Sequence, residues 1–310
     1  MTIVTLVWQN LQLSWEKIMK IQIVTLCVAG FVFAFVNQVE AQIVVLNTRN
    51  DAVLGGLSFR AGDSVIYDIT TDEAEIFFSQ DNFDVFGNNA INPDAIDVHS
   101  DGSFTFSPRG NLVLDGVHYD QRSVVRYAPA TQQAQLVFRD PTVDVSGVFT
   151  TADGNLLLAA KSDEIIGGQV YSVGDVVKYD FDTGTSSLFF SAENFFTADE
   201  GGLFSAPANI DALHLLDNGN LLSSTTNTTE IGTSADDAVR LFQGGVYEYD
   251  FNTSEVTTFL DPSVFSRGVD VKSISVISLT SPRTVPEPSS VVLSLIGLMF
   301  FGSLRRRQLS

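Results

Sequence analysis

The sequence predicts an all-β protein, a β-propeller-like body of about four blades with four antiparallel strands each. Three observations predict it. A hairpin recurs four times at constant internal spacing, a glycine turn precedes three of the copies and two of these at the same distance, and the repeat region lacks one strand at its start and carries a spare one at its end.

The hairpin occupies 64–78, 124–138, 176–190 and 246–260. Each copy has an apolar strand carrying Tyr67, Tyr127, Tyr179 or Tyr249, then a polar turn, then a strand ending at Phe78, Phe138, Phe190 or Leu260, 11 residues after its Tyr in every copy. Val, Ile, Thr and 24 Phe supply the β-branched and aromatic side chains that suit a pleated, half-buried surface. Upstream lie Asp101-Gly102, Asp153-Gly154 and Asn218-Gly219, dipeptides of the kind a two-residue hairpin uses. Gly102 to Tyr127 and Gly154 to Tyr179 are both 25 residues, whereas Gly219 to Tyr249 is 30, which predicts an inserted Thr-, Ser- and Asn-rich surface loop around 225–236. In the third unit the strands are expected near 148–151, 156–160, 176–179 and 187–190. Four short strands in about 50 residues is the period of a propeller blade.

The first unit predicts closure. Residues 44–68 match 156–180 at a constant offset of 112, including Gly55-Gly56 with Gly167-Gly168 and Tyr67-Asp68 with Tyr179-Asp180. That unit has no first strand of its own, and 269–279 is a β-branched strand without a unit. Pairing the two would complete one blade and remove two exposed edges.

Charge narrows the partners. The whole chain carries −20; the charges before Gln42 cancel and three Arg stand in the tail, so residues 42–304 carry −23. Such a surface repels nucleic acid and anionic headgroups. The single Cys, Cys27, lies in the N-terminal apolar run, so the body has neither a disulfide nor a cysteine metal site.

Both ends read as addresses. Residues 1–18 look like an upstream extension. Residues 19–41 have the form of a secretory signal: Lys20, the uncharged apolar run 21–36, and Val39-Glu40-Ala41, which places cleavage between Ala41 and Gln42. The body follows at 42–280, then a Pro/Ser linker at 281–290 containing Pro286, Glu287 and Pro288. An uncharged apolar segment, 291–304, comes next, with Arg305, Arg306 and Arg307 directly after it. The prolines hold the chain extended, the apolar segment can enter a bilayer as a short helix, and the arginines resist translocation. This order at the extreme C-terminus, across 281–310, resembles the PEP-CTERM sorting signal. The resemblance implies an exosortase-type membrane enzyme as partner, transient anchoring by the C-terminal helix, and association with exopolysaccharide or biofilm matrix at the cell surface. The body is similar to repeat regions in other PEP-CTERM proteins of uncharacterised function, so the resemblance supplies no activity.

Within the body, Asp94 and Asp211 hold equivalent positions at the start of innermost strands, and Asp270 is the candidate in the closing blade. Carboxylates converging there would suit Ca²⁺ through oxygen ligands, although Ser146 replaces the Asp in the third blade. The alternative use of each Asp is to cap a turn. Asp51, Asn111 and Asp163, and likewise Asp63 and Asp175, repeat around the body, which argues for turn formation. His99 and His214 fall near first strands and His118 in a loop. Counted from the glycine turns, His214 takes the position of Asp97 and His99 that of Leu216. No nucleophile elbow, phosphate loop, EF-hand series or His-Glu-x-x-His motif occurs. Both Trp residues precede the signal, so the body lacks the usual platform for stacking sugars. The expectation is a non-catalytic exported surface protein. A ligand-binding propeller ranks second and a calcium-dependent hydrolase or lactonase third.

Overall fold

The computed structural model describes residues 42–83, 93–196, 209–231, 239–266 and 268–277. These form four antiparallel four-stranded sheets, each one blade. From the centre outward, blade 1 is Val271–Ile277, Ile43–Thr48, Ser64–Asp68 and Glu73–Phe78. Blade 2 is Pro93–Val98, Phe104–Pro108, Ser123–Ala128 and Gln133–Arg139. Blade 3 is Val145–Thr150, Leu156–Ala160, Val176–Asp180 and Thr185–Phe190, and blade 4 is Ile210–Leu215, Leu221–Thr225, Val246–Tyr249 and Val256–Leu260. Each innermost strand packs against those of the two neighbouring blades, which closes the ring. The spare C-terminal strand pairs antiparallel with the first strand of the body, Ile43 opposite Ile277 and Leu46 opposite Ile274.

Burial follows from this arrangement. A blade's inner strands are covered on both faces, so they read as continuous apolar runs; Leu156–Ala160 is buried at every position. Outer strands have one wet face and alternate, as in Gln133–Arg139. Each seam between blades holds its own core. A cluster of aromatic rings packs between blades 1 and 2, where Phe78 meets Phe104 and Tyr127 edge-on at 5.1 and 5.7 Å. The seam between blades 4 and 1 buries Leu46, Val271 and Ile274 against Ala212, Leu222 and Val246.

Two bulges recur in every blade. In the outer hairpin the register skips Phe77, Val137, Phe189 or Phe259, each one residue before Phe78, Phe138, Phe190 or Leu260. This shared defect accounts for the constant Tyr-to-end spacing. In the innermost strand the register skips Asp94, Ser146, Asp211 or Lys272.

Several expectations need correction. Each blade carries a small extra hairpin between its second and third strands, such as Glu164–Ile166 with Gln169–Tyr171. These short segments lack the alternation that announces a strand. His118 lies in one of them, Val117–Tyr119, and not in a loop. The fourth-blade insertion is largely such a hairpin too: Thr225 ends a blade strand, Thr229–Ile231 pairs with Val239–Leu241, and 232–238 lie outside the described residues. The Gly turns are longer than two residues. Gly102 donates to the His99 carbonyl and sits at φ +78°, while His99 and Ser103 close the hairpin, a turn followed by a left-handed residue. The innermost strands are Val145–Thr150 rather than 148–151 in blade 3, and Val271–Ile277 within the expected 269–279. The segments 1–41 and 278–310, including Ala41, Pro286, Glu287, Pro288 and Arg305–Arg307, lie outside the described residues. Among the described residues no helix is long and apolar enough to cross a membrane.

Candidate functional site at the channel

Two levels of the central channel carry polar side chains, one at each end of the innermost strands. The first is built by the bulges. An extra residue in one strand re-aims its side chain, and Asp94, Ser146, Asp211 and Lys272 are the four so placed. The register therefore corrects the expected set: the blade 1 counterpart of Asp94 and Asp211 is Lys272, while Asp270 lies two residues earlier, before the strand. The extra residue was invisible to a count from the turns, because blade 1 is assembled from both ends of the chain.

This substitution changes the chemistry of that level. Lys272, 5% exposed, places its Nζ 2.8 Å from Asp211 Oδ1 across the seam between blades 1 and 4. Lys161 of blade 3 meets Asp94 of blade 2 at 2.7 Å, and Asp144 at 3.1 Å. Burial works against the charge of Lys161, but Asp94 and Asp144 outweigh it and hold its pKa above the ordinary value. The Ser146 hydroxyl donates to the Ile210 carbonyl of blade 4 at 2.5 Å. Asp270 pairs with Arg49 at 3.5 Å. Its carboxyl is pushed up to about 7, first by burial and then by the neighbouring Asp211. The three candidate calcium ligands are thus each committed to a cation of the chain. Among the described residues no three His, Cys, Asp or Glu side chains converge as metal ligands.

The other level lies three residues further along each innermost strand, and its Asp97, Phe149 and His214 line a cavity of about 570 Å³ at the channel mouth. Here the four equivalent positions hold four different chemistries: Ser275, Asp97, Phe149 and His214. Asp97, 3% exposed, comes from blade 2 and His214, 8% exposed, from blade 4, diagonally opposite; His214 Nδ1 stands 4.0 Å from Asp97 Oδ1. His99, which follows blade 2's innermost strand, places its Nδ1 4.0 Å from Asp97 Oδ2. Asp97 Oδ2 accepts the Thr150 backbone N–H at 2.8 Å. Burial raises the Asp97 carboxyl to about 7 despite the Thr150 amide and Ser275 hydroxyl, which favour its charged form. Burial depresses His214 to about 4, and among the described residues its Nδ1 has no hydrogen-bond partner. The Phe149 ring meets the His214 ring edge-on at 4.8 Å. His99 is fixed from its other side, Nε2 lying 2.7 Å from Thr105 Oγ1, and burial lowers its pKa.

Sequence reasoning placed Asp97 and His214 in equivalent positions but did not bring them together. A register count shows equivalence around the ring; only closure of the ring shows that blades 2 and 4 face one another. The repeated carboxylates serve turns as expected. Asp51 accepts the Ala61 amide and Asp163 the Val173 amide, at 2.9 and 3.2 Å. Asp63 and Asp175 tie the outer strand back to the third: Asp63 accepts from Arg60 and Gln80, Asp175 from Ser172 and Ala192.

Fold and channel together define this body as a four-bladed β-propeller. No family model and no curated protein matches the chain. Among solved structures it is similar to the extracellular domain of the one-component system BT4673 from B. thetaiotaomicron, at 14% identity and TM-score 0.26, covering 70% of this chain and 22% of that one. A chain of the nidogen/laminin complex matches at 9% identity and TM-score 0.37, covering 78% of this chain and 99% of that one. Virginiamycin B lyase from Staphylococcus aureus matches at 11% identity and TM-score 0.32, covering 71% of this chain and 74% of that one. This chain spans about a fifth of the length of the first of these.

Proposed function

We propose that this protein is a non-catalytic β-propeller exported to the cell surface and delivered there by its C-terminal tail, where it belongs to the exopolysaccharide matrix. The observation that carries the reading is the order of Pro286-Glu287-Pro288, an uncharged segment and Arg305-Arg306-Arg307, which begins nine residues after the strand that completes blade 1. A helix stalled in the membrane by its arginines would hold the body outside. An enzyme acting at the Pro-Glu-Pro element would then release or transfer it. The acidic, cysteine-free body suits an exterior setting because it stays soluble and needs no redox partner.

The test is the mass and location of the mature chain in a host that carries an exosortase-type enzyme. The reading predicts a product beginning at Gln42, found outside the inner membrane and shortened near 286–290. Replacing Glu287 or Arg305–Arg307 should leave it uncleaved or mislocated. An intact 310-residue chain in the cytosol would overturn the proposal.

A further inference from the structure

At the channel mouth no two of the four equivalent positions are alike, whereas the bulge level repeats an Asp in two blades. Residues that repeat around a ring serve the ring; residues that differ at one level serve something that meets the ring as a whole. Asp97 offers both carboxyl oxygens, and each oxygen faces an imidazole Nδ1 at 4.0 Å. That separation is too long for a hydrogen bond. It is the span at which one oxygen atom, about 2.8 Å from each side, bridges carboxylate and imidazole with an angle near 90°. A hydroxyl suits both sides, since it donates its one hydrogen to the carboxylate and accepts from the Nδ1–H of the ring. Water would satisfy one such bridge, but two side by side on one carboxyl match two hydroxyls on adjacent carbons. Beside them, Phe149, Leu215 and Ile277 supply an apolar wall for the C–H face of a ring, and the cavity of about 570 Å³ has room for a sugar residue. His214 Nδ1 is buried and has no hydrogen-bond partner among the described residues, where such a group ordinarily finds one, which also points to a ligand.

We propose that the channel mouth binds a saccharide through a vicinal diol, with Asp97 accepting from both hydroxyls and the Nδ1 atoms of His214 and His99 each completing one bridge. This gives the body a recognition function that the surface reading does not require. It holds or fails independently of how the chain is exported.

The test uses the purified full-length chain and ligand-observed saturation-transfer NMR with the methyl glycosides of glucose, mannose and galactose. Saturation should reach the protons beside the bound diol of at least one glycoside, and the fully O-methylated counterpart should show none. Asp97→Asn keeps shape and the Thr150 contact, so the variant should fold with an unchanged circular-dichroism spectrum and bind at least tenfold more weakly. His214→Phe should likewise lose binding, while Lys272→Arg at the other end of the channel should bind as the parent does. Absence of transfer to all three glycosides, equal transfer to the O-methylated form, or full binding by a folded Asp97→Asn variant would each overturn the proposal.

Discussion

Lys272 shows how much one buried side chain decides. It is the only cation among the four bulge residues, and it neutralises Asp211, which is 1% exposed. Removing one partner of a buried pair strands the other charge, at a cost of about 3–5 kcal/mol, whereas replacing both with apolar groups is often near neutral. Lys272→Met should therefore lower the urea midpoint sharply, and Lys272→Met with Asp211→Leu should recover most of the loss. Titration gives a second expectation. Asp97 and Asp270 are raised to about 7 in the fold. Stability from such groups is complete below the unfolded value near 4 and is lost as pH rises through about 7. His214, lowered to about 4, and His99, also lowered by burial, act in the opposite direction, but only below about pH 6.5. Unfolding free energy should fall from pH 6 to pH 8, by about 1 kcal/mol for each Asp. Asp97→Asn should remove its share of that slope; an unchanged slope would show that Asp97 is ionised throughout.

At the scale of elements, the blades hold together because their inner strands approach closely. Gly147 is where blades 3 and 4 meet: an added Cβ would lie 2.8 Å from Leu213 Cβ and 3.1 Å from Ala159 Cβ. Neither neighbour is the free end of a flexible chain, so Gly147→Ala should cost about 1–3 kcal/mol through overpacking. Among the described residues Gly110 has no atom within 4 Å of its added Cβ, and its backbone is not left-handed. Gly110→Ala should be neutral or stabilise by up to about 1 kcal/mol by restricting the unfolded chain. Equal denaturation midpoints for the two variants would contradict the close approach. Elements were also where the sequence was most legible. The outer hairpins were plain, because their bulge and turn recur in every copy and fix the spacing from Tyr to strand end. The small hairpins were not, since three-residue strands such as Ala52–Leu54 are too short to show a period. Asp94 and Asp211 could be placed by counting, but their lysine partners could not. Lys161 and Lys272 meet them only through contacts between blades, 67 and 61 residues away in sequence.

The whole molecule turns on closure. Four cores in four seams depend on every blade having a neighbour on both sides, and the seam between blades 4 and 1 exists only if Val271–Ile277 reaches Ile43–Thr48. That long-range pairing was legible as a missing strand and a spare one. The mouth chemistry was not, because Asp97 and His214 become neighbours only across a completed ring. Closure also brings Ser275, from the last strand, to the same mouth level, so the candidate site is incomplete without it.

Ile43 and Ile277 are directly paired within blade 1, where the two ends of the body join, and their Cα separation in an antiparallel ladder suits a disulfide. In a chain whose Cys27 is replaced by Ser, the pair Ile43→Cys and Ile277→Cys should oxidise spontaneously, run faster than its reduced form on a non-reducing gel, and raise the melting temperature. Failure of that bond to form, together with a cooperative fold in a chain lacking 269–277, would contradict the closed ring.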